Sequence, residues 1–432
     1  MRNKLIGFWF ATLLTFSSFI ALAQDLTMEA RAAFQYLNQL RTQAGMIPFE
    51  WNPVLERSSA NHARYLSRNR IISHVESSGR IGFTGTYPSD RALREGYNAR
   101  IVTENHSTGD GDSLASVDGL MGAIYHRFGF LDFTKDEIGI ALDRADRGYN
   151  VVYNMGNEGL NQFCKTAPTI REGHYYQDFC KRTKRVAVDL VDKLETRTKE
   201  KNPEIVVWPP NGGVDIPVVF YEEIPDPLPN MSVSGYPVSI QFNPTAYAEV
   251  KLLSFQLFER DQQEWIKVEP FLTMQKSNDP NQKFSDKEFA LFPLDRLDWG
   301  KEYHAAVRYQ HEGQRFEFEW SFTTKKLLYP LFEIAANGES LRMISDKTYY
   351  IYIPPKKNQP FIRKLEVESP YSVQVNVDWE DRNTIKINLS GQGCQLSRFQ
   401  LDGGRTFTAT IATTDNQNNR QRYPLNSTTP CN

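Results

Sequence analysis

The strongest constraint on this chain is a change of hydrophobic period along its length. Between residues 28 and 44 apolar side chains fall at positions 33, 34, 37, 40 and 44, and Leu55, Ala60, Ala63 and Leu66 continue the same spacing from Trp51 to Leu66. That spacing lines one face of an α-helix. From Val206 onward the period falls to two. Pro237-Val238-Ser239-Ile240-Gln241-Phe242 alternates cleanly, and similar short runs at 289–294, 299–303 and 320–324 follow at hairpin-like intervals. A period of two buries one face of a β-strand. The order of the two periods predicts an α-containing unit first and all-β units after it.

Finer signals fill in the first unit. A polar, Gly-rich tract from Ser77 to Ser89 breaks the pattern, Asp90 is placed as the N-cap of a short helix, and Gly96 stops it. Leu114 to Ile124 is expected to be a further helix. Glu137 to Leu142 and Tyr149 to Met155 are expected strands about the turn Asp146-Arg147-Gly148. A charged helix is expected over Lys181 to Lys201, and Pro203 with Pro209-Pro210-Asn211-Gly212-Gly213 marks a linker. Glu222, Glu223 and Asp226 are expected to face solvent within the Pro-rich stretch. Residues 203–326 are then expected to form an Ig-like β-sandwich. Residues 327–432 are expected to form a small all-β domain, with Lys347 to Ile353 and Thr384 to Leu389 as its clearest strands.

The first 23 residues comprise a cationic start (Arg2, Lys4), an apolar run and Ala21-Leu22-Ala23 before Gln24. This is the pattern of a secretory signal and is too short for a spanning helix. The expectation is an exported protein, periplasmic or secreted, with no transmembrane anchor in the mature chain. The remaining ~410 residues exceed what one core serves. A formal charge of -2 supplies no long-range pull toward nucleic acid. The four cysteines, Cys164, Cys180, Cys394 and Cys431, fall in two sequence-local pairs in an exported chain, which favours two disulfides, Cys164 with Cys180 and Cys394 with Cys431.

One segment carries most of the chemistry. Leu37-Asn38 and Arg41 precede Pro48-Phe49-Glu50-Trp51-Asn52, then come Ala60-Asn61-His62-Ala63, His74, Asp90-Arg91-Ala92 and Gly96-Tyr97. Glu104-Asn105 and His126-Arg127 follow, and His126 stands thirteen residues before Gly139 of Ile138-Gly139-Ile140. This order resembles the CAP superfamily (cysteine-rich secretory proteins, antigen 5, plant pathogenesis-related proteins) in its bacterial SCP-like form, over roughly residues 28–157. The resemblance implies an α-β-α sandwich over residues 24–202, so that the whole chain is α+β: a CAP-like domain, an Ig-like sandwich and a small all-β domain.

The resemblance also implies that His74, Glu104 and His126 share one cavity. Two neutral imidazoles and a carboxylate are natural ligands of a divalent metal such as zinc, and three protein ligands leave a position open. The chain departs from the eukaryotic pattern in having no glutamate between Glu104 and His126, so the expected set is a triad. Asp118 is the nearest acidic residue, but eight positions before His126 on a helix it need not face the same way. The bland alternative is a buried hydrogen-bonded cluster that fixes the loops. His106 either joins the set or points to water on a loop, His62 is expected to be a satisfied surface or boundary histidine in mid-helix, and His174 is expected to belong to a packed loop. No Gly-x-Ser-x-Gly, H-E-x-x-H or Walker pattern is present. The expected function is a binding protein of the cell envelope, for a small molecule, lipid or envelope component, with the β domains as spacer or adhesion modules. The competing expectation is a metal-assisted hydrolase with Glu104 as general base. Since residues 24–200 hold all the candidate ligands, the first domain is expected to bind alone.

Overall fold

The computed structural model describes residues 26–109, 112–144, 148–356 and 359–412. The expected leader, residues 145–147 of the expected turn, and Cys431 lie outside them, and so does the expected Cys394–Cys431 link.

The first module runs α1 (26–43), β1 (Glu50–Trp51), α2 (Pro53–Asn69), α3 (Pro88–Glu95), β2 (Thr103–Gly109), α4 (Ser113–Gly122), α5 (Ile124–Phe130), β3 (Glu137–Arg144), β4 (Tyr149–Gly156), α6 (Glu158–Thr166) and α7 (Val188–Lys199). Its four-stranded sheet has the order β1-β3-β4-β2, which leaves β2 at an edge. Alternation along β4 divides the sheet between two helical layers. Val151, Tyr153 and Met155 join Ala33, Leu37 and Val117 of α1 and α4 in one core cluster, while Val152 packs with Ala63, Tyr65 and Leu66 of α2. Helices therefore cover both faces, an α-β-α sandwich.

Two local devices hold α2 against the sheet. Asn52 caps the helix, its Oδ1 accepting from Val54 N at 2.8 Å and Leu55 N at 3.2 Å, while its Nδ2 donates to Glu137. Gly139 in β3 lets the helix backbone come close, because a Cβ there would lie 2.0 Å from Glu56 N. At α3 the expectation needs correcting. The helix begins at Pro88 after Tyr87, and Asp90 is its third residue, accepting from Tyr87 N at 3.1 Å in a capping box, with Gly96 ending the helix at φ 111°. The expected helix at 114–124 breaks at Ala123, and α5 follows it. Only Val188–Lys199 of the expected charged helix is helical. Cys164 and Cys180 are joined as expected. Asp118 accepts from Tyr36 OH at 2.6 Å.

The second module is an Ig-like sandwich of a four-stranded sheet and a five-stranded one, the latter built on the long hairpin Glu302–His311 and Gln314–Thr324. The third module pairs two further four-stranded sheets, in one of which Thr348–Tyr352 lies antiparallel to Thr384–Ser390. The tract from Pro203 is not a free linker. Ile205–Trp208 is already a strand of the second module, paired with Val238–Phe242.

That last strand explains how the modules meet. All five of its residues are buried, although its sequence alternates. The apolar face enters the sandwich, and the Ser239 face meets the first module, where the buried Arg127 of α5 donates to Ser239 Oγ at 3.0 Å and to Pro237 O at 2.8 Å. Beside it Tyr236 OH donates to Met121 O at 3.1 Å. Ile124 and Phe128 of α5 pack with Phe220, Phe284 and Phe292 of the second module. The third module is fixed to the second by Tyr221 OH donating to Asp381 at 3.0 Å and by the Arg296–Asp381 ion pair.

Candidate functional site

Segment 103–109 is polar, yet it is a strand, and this decides which side chains meet. Residues two apart on a strand share a face. In the antiparallel register Glu104 lies opposite Asn154 and His106 opposite Val152, so Glu104 and His106 both belong to the α2 side of the sheet. Asn105 belongs to the other side, where its Nδ2 donates to the carbonyl of His126 at 2.8 Å and anchors α5. Because β2 is an edge strand, groups from both sides gather around it.

Glu104 is the hub. Its side chain is wholly buried. Oε2 accepts from Arg91 Nη2 at 2.7 Å, and Oε1 lies 3.0 Å from His74 Nδ1 and 3.5 Å from His62 Nε2. Burial on its own would raise this carboxyl, but Arg91, His62 and His74 outweigh it and hold the group down to about 2. Glu104 is therefore an anion, and an ionised carboxylate only accepts, so His74 Nδ1 carries the hydrogen. His74 Nε2 is left for a ligand.

The four histidines have distinct surroundings. His62 is fully engaged, with Nδ1 2.9 Å from Glu76 Oε1 and Nε2 2.9 Å from the Ser73 carbonyl. It is buried beneath the cluster as a satisfied histidine, not at the surface or boundary. His106 is 8% exposed, and neither of its ring nitrogens has a hydrogen-bond partner among the described residues. Burial, with the His74 ring 4.5 Å away centroid to centroid, pushes the His106 imidazole down to about 3, so it is neutral. Ligand atoms of His74, Glu104 and His106 all lie within 4.8 Å of one another. His126 stands slightly apart, its ring 6.5 Å from that of His74, and its Nδ1 is 2.8 Å from Glu223 Oε2.

The structure thus brings His74, Glu104 and His126 to one place and adds two groups. His106 was legible in principle from its spacing of two from Glu104, had 103–109 been taken as a strand. Glu223, expected to face solvent, is 8% exposed and belongs to the cluster. The groups that meet in the cluster are therefore not all within residues 24–200, although the candidate ligands are. Glu222 alone of the expected solvent-facing trio is exposed, since Asp226 is half-buried and accepts from Leu228 N at 2.8 Å. His174 is exposed and not packed as expected, and it does not line the cavity beside the cluster.

A cavity of about 430 Å³ opens beside the cluster. His74, His106 and His126 face it from the first module, Glu222, Glu223 and Ile224 from the second, and Arg382 from the third. The Arg382 guanidinium is held between the rings of Tyr221 and Phe361, 5.3 and 5.1 Å from their centroids.

Residues 34–155 match the model of the cysteine-rich secretory protein family, CAP. Among solved structures the chain is similar to an extracellular protein containing an SCP domain from Bacillus anthracis, at 16% identity and a TM-score of 0.28, with 31% of this chain and 41% of that one covered. It is also similar to an outer surface protein from Borrelia burgdorferi, at 19% identity and a TM-score of 0.27, covering 30% of this chain and 92% of that one. A tandem pair of titin Ig domains aligns over 41% of this chain and 86% of its own at 10% identity, with a TM-score of 0.17. The chain thus spans less than half the length of the Bacillus protein. No curated protein matches.

Proposed function

We propose that this is an exported envelope protein that binds a divalent cation such as zinc through His74, His106 and His126, with Glu104 beside them. The cation would hold a small ligand in the cavity. The observation that carries the reading is His106: a neutral imidazole, buried, with neither nitrogen hydrogen-bonded among the described residues, set beside His74 and Glu104. A purely structural cluster would have its imidazoles satisfied, as His62 is. Neutral nitrogens are what a divalent transition metal requires. When bound, the ion would polarise a ligand oxygen or nitrogen; the chain's own part is to present the nitrogens and supply Glu104 as a charge already balanced by Arg91.

The hydrolase reading with Glu104 as general base is poorly supported. An efficient base has a pKa near the working pH, whereas Glu104 is held at about 2 and both of its oxygens are engaged. The remaining components of the reading, export and an envelope ligand, rest on the leader-like N-terminus and the disulfide.

Thermal unfolding of the full chain with and without zinc is the test. Zinc at a hundredfold excess over its Kd should stabilise the fold by ~2.7 kcal/mol, and His106→Ala or His126→Ala should remove the rise. An equal rise in both variants places the ion elsewhere, and no rise in the wild type ends the proposal.

A further inference from the structure

The position of Glu223 raises the question of why a second-module carboxylate should be buried against a first-module imidazole. Glu223 lies 97 residues beyond His126. Its side chain is 4% exposed and that of His126 14%. Oε2 is 2.8 Å from His126 Nδ1, and Oε1 accepts from Tyr125 N at 3.4 Å. The segment carrying it is held on both sides. Asn281 Nδ2 donates to Asp226 O at 2.7 Å and to Tyr125 OH at 3.0 Å, and Asp279 accepts from the same Tyr125 hydroxyl. Tyr221, two residues before Glu223, bonds to the third module.

We infer that Glu223 is a positioning residue for the cation site, and that cation binding is thereby coupled to docking of the second module on the first. The inference rests on the metal reading above. Its chemistry is that of a carboxylate and a histidine in series. A carboxylate accepting from Nδ1–H fixes the imidazole tautomer and orientation, leaves Nε2 as the lone-pair donor, and increases its basicity. Glu104 does this for His74 within the first module. Glu223 does it for His126 from the second, in a chain that has no glutamate between Glu104 and His126. The two imidazoles are thus oriented by carboxylates that belong to different modules. Whatever binds their Nε2 atoms is sensitive to whether the modules are docked, and by linkage favours docking to the same extent.

The experiment uses the full chain. Zinc affinity is measured by calorimetry, and the site is observed by the visible absorption of bound cobalt(II), for the wild type, Glu223→Gln, Glu223→Asp and, as a control on an exposed strand of the second module, Glu264→Gln. Glu223→Gln is expected to weaken zinc 10- to 100-fold and to alter the cobalt bands, Glu223→Asp to restore part of both, and Glu264→Gln to leave the cobalt bands in place. Hydrogen exchange on the wild type needs no variant, and zinc should slow exchange in the Glu222–Ile224 segment. If the wild type binds zinc but Glu223→Gln binds it equally, with the same cobalt spectrum, the coupling is wrong while the metal reading stands. The same holds if Glu223→Gln fails to fold and exchange at 222–224 is indifferent to zinc. If the wild type binds no zinc, the metal reading fails and this inference with it.

Discussion

Acid should weaken the histidine cluster first through His106 and then, below about pH 5, through His106 and Glu104 together. His106 has an ordinary value of 6.5 and is held at about 3 in the folded chain. A group lowered on folding contributes stability that is complete above its unfolded pKa and is lost as pH falls toward the folded one, because the unfolded chain takes the proton first. For His106 that window opens near 6.5 and costs about 2 kcal/mol between pH 7 and pH 5. Glu104, ordinarily 4.5 and here about 2, adds a second loss of about 2 kcal/mol between pH 5 and pH 3. Below about pH 4.5 the two losses run together, because His106 goes on losing stability until pH falls to about 3. Guanidinium unfolding of the full chain at pH 7, 6, 5 and 4, with a chelator present to remove any metal, measures the first step. His106→Gln should be less stable than the wild type at pH 7 yet nearly flat between pH 7 and pH 5, since the titrating ring is gone. Equal slopes for wild type and variant over that range would refute the assignment of the loss to His106, and with it the claim that this imidazole is neutral in its pocket.

Other expectations follow from the packing. Gly139→Ala should destabilise by about 3 kcal/mol or more, because the new methyl has only helix backbone to displace; a melting temperature within a degree or two of wild type would show that α2 can retreat. Replacing Cys164 and Cys180 together by serine should cost ~3 kcal/mol on the chain-entropy account, read from unfolding of the first module under oxidising conditions. Arg127→Ala removes a buried cation that ties α5 to Pro237 and Ser239 and should loosen the module junction by several kcal/mol. Limited proteolysis near residues 200–204 should accelerate in that variant, and an unchanged cleavage rate would mean the aromatic contacts of α5 suffice.

What the sequence disclosed follows from how local each signal is. The first two helices, β3, β4 and the clear strands of the β modules carry regular periods whose buried faces pack within their own module. The α5 helix was not legible because its apolar residues Ile124 and Phe128 answer to Phe220, Phe284 and Phe292, remote in sequence. The strand β2 was missed because Glu104 and His106 occupy positions that an ordinary strand fills with aliphatic residues, and Arg91 and His74 compensate for Glu104 from other segments. His74, Glu104 and His126 were legible through a resemblance in order and spacing, which says where groups gather but not what each one touches. Glu223 had no local signal. Its role exists only through a fold that returns the chain to His126, and a Pro-rich acidic stretch looks the same whether it faces water or a histidine.

The strand Val238–Phe242, pressed on one side into its sandwich and on the other onto α5, has a consequence for the order of events during synthesis. It pairs with both Ile205–Trp208 and Glu288–Pro293, so its place is not secured until residue 293 has emerged. Until then Arg127 has no Pro237 carbonyl and His126 has no Glu223. A chain made from its N-terminus can close the first module's core early, but the second module's part of the pocket wall is set only once residue 293, past the middle of the 432-residue chain, has emerged. The pocket is a late product of assembly, and a truncated chain that ends before the second sandwich closes carries histidines already gathered but one of them still unsteered.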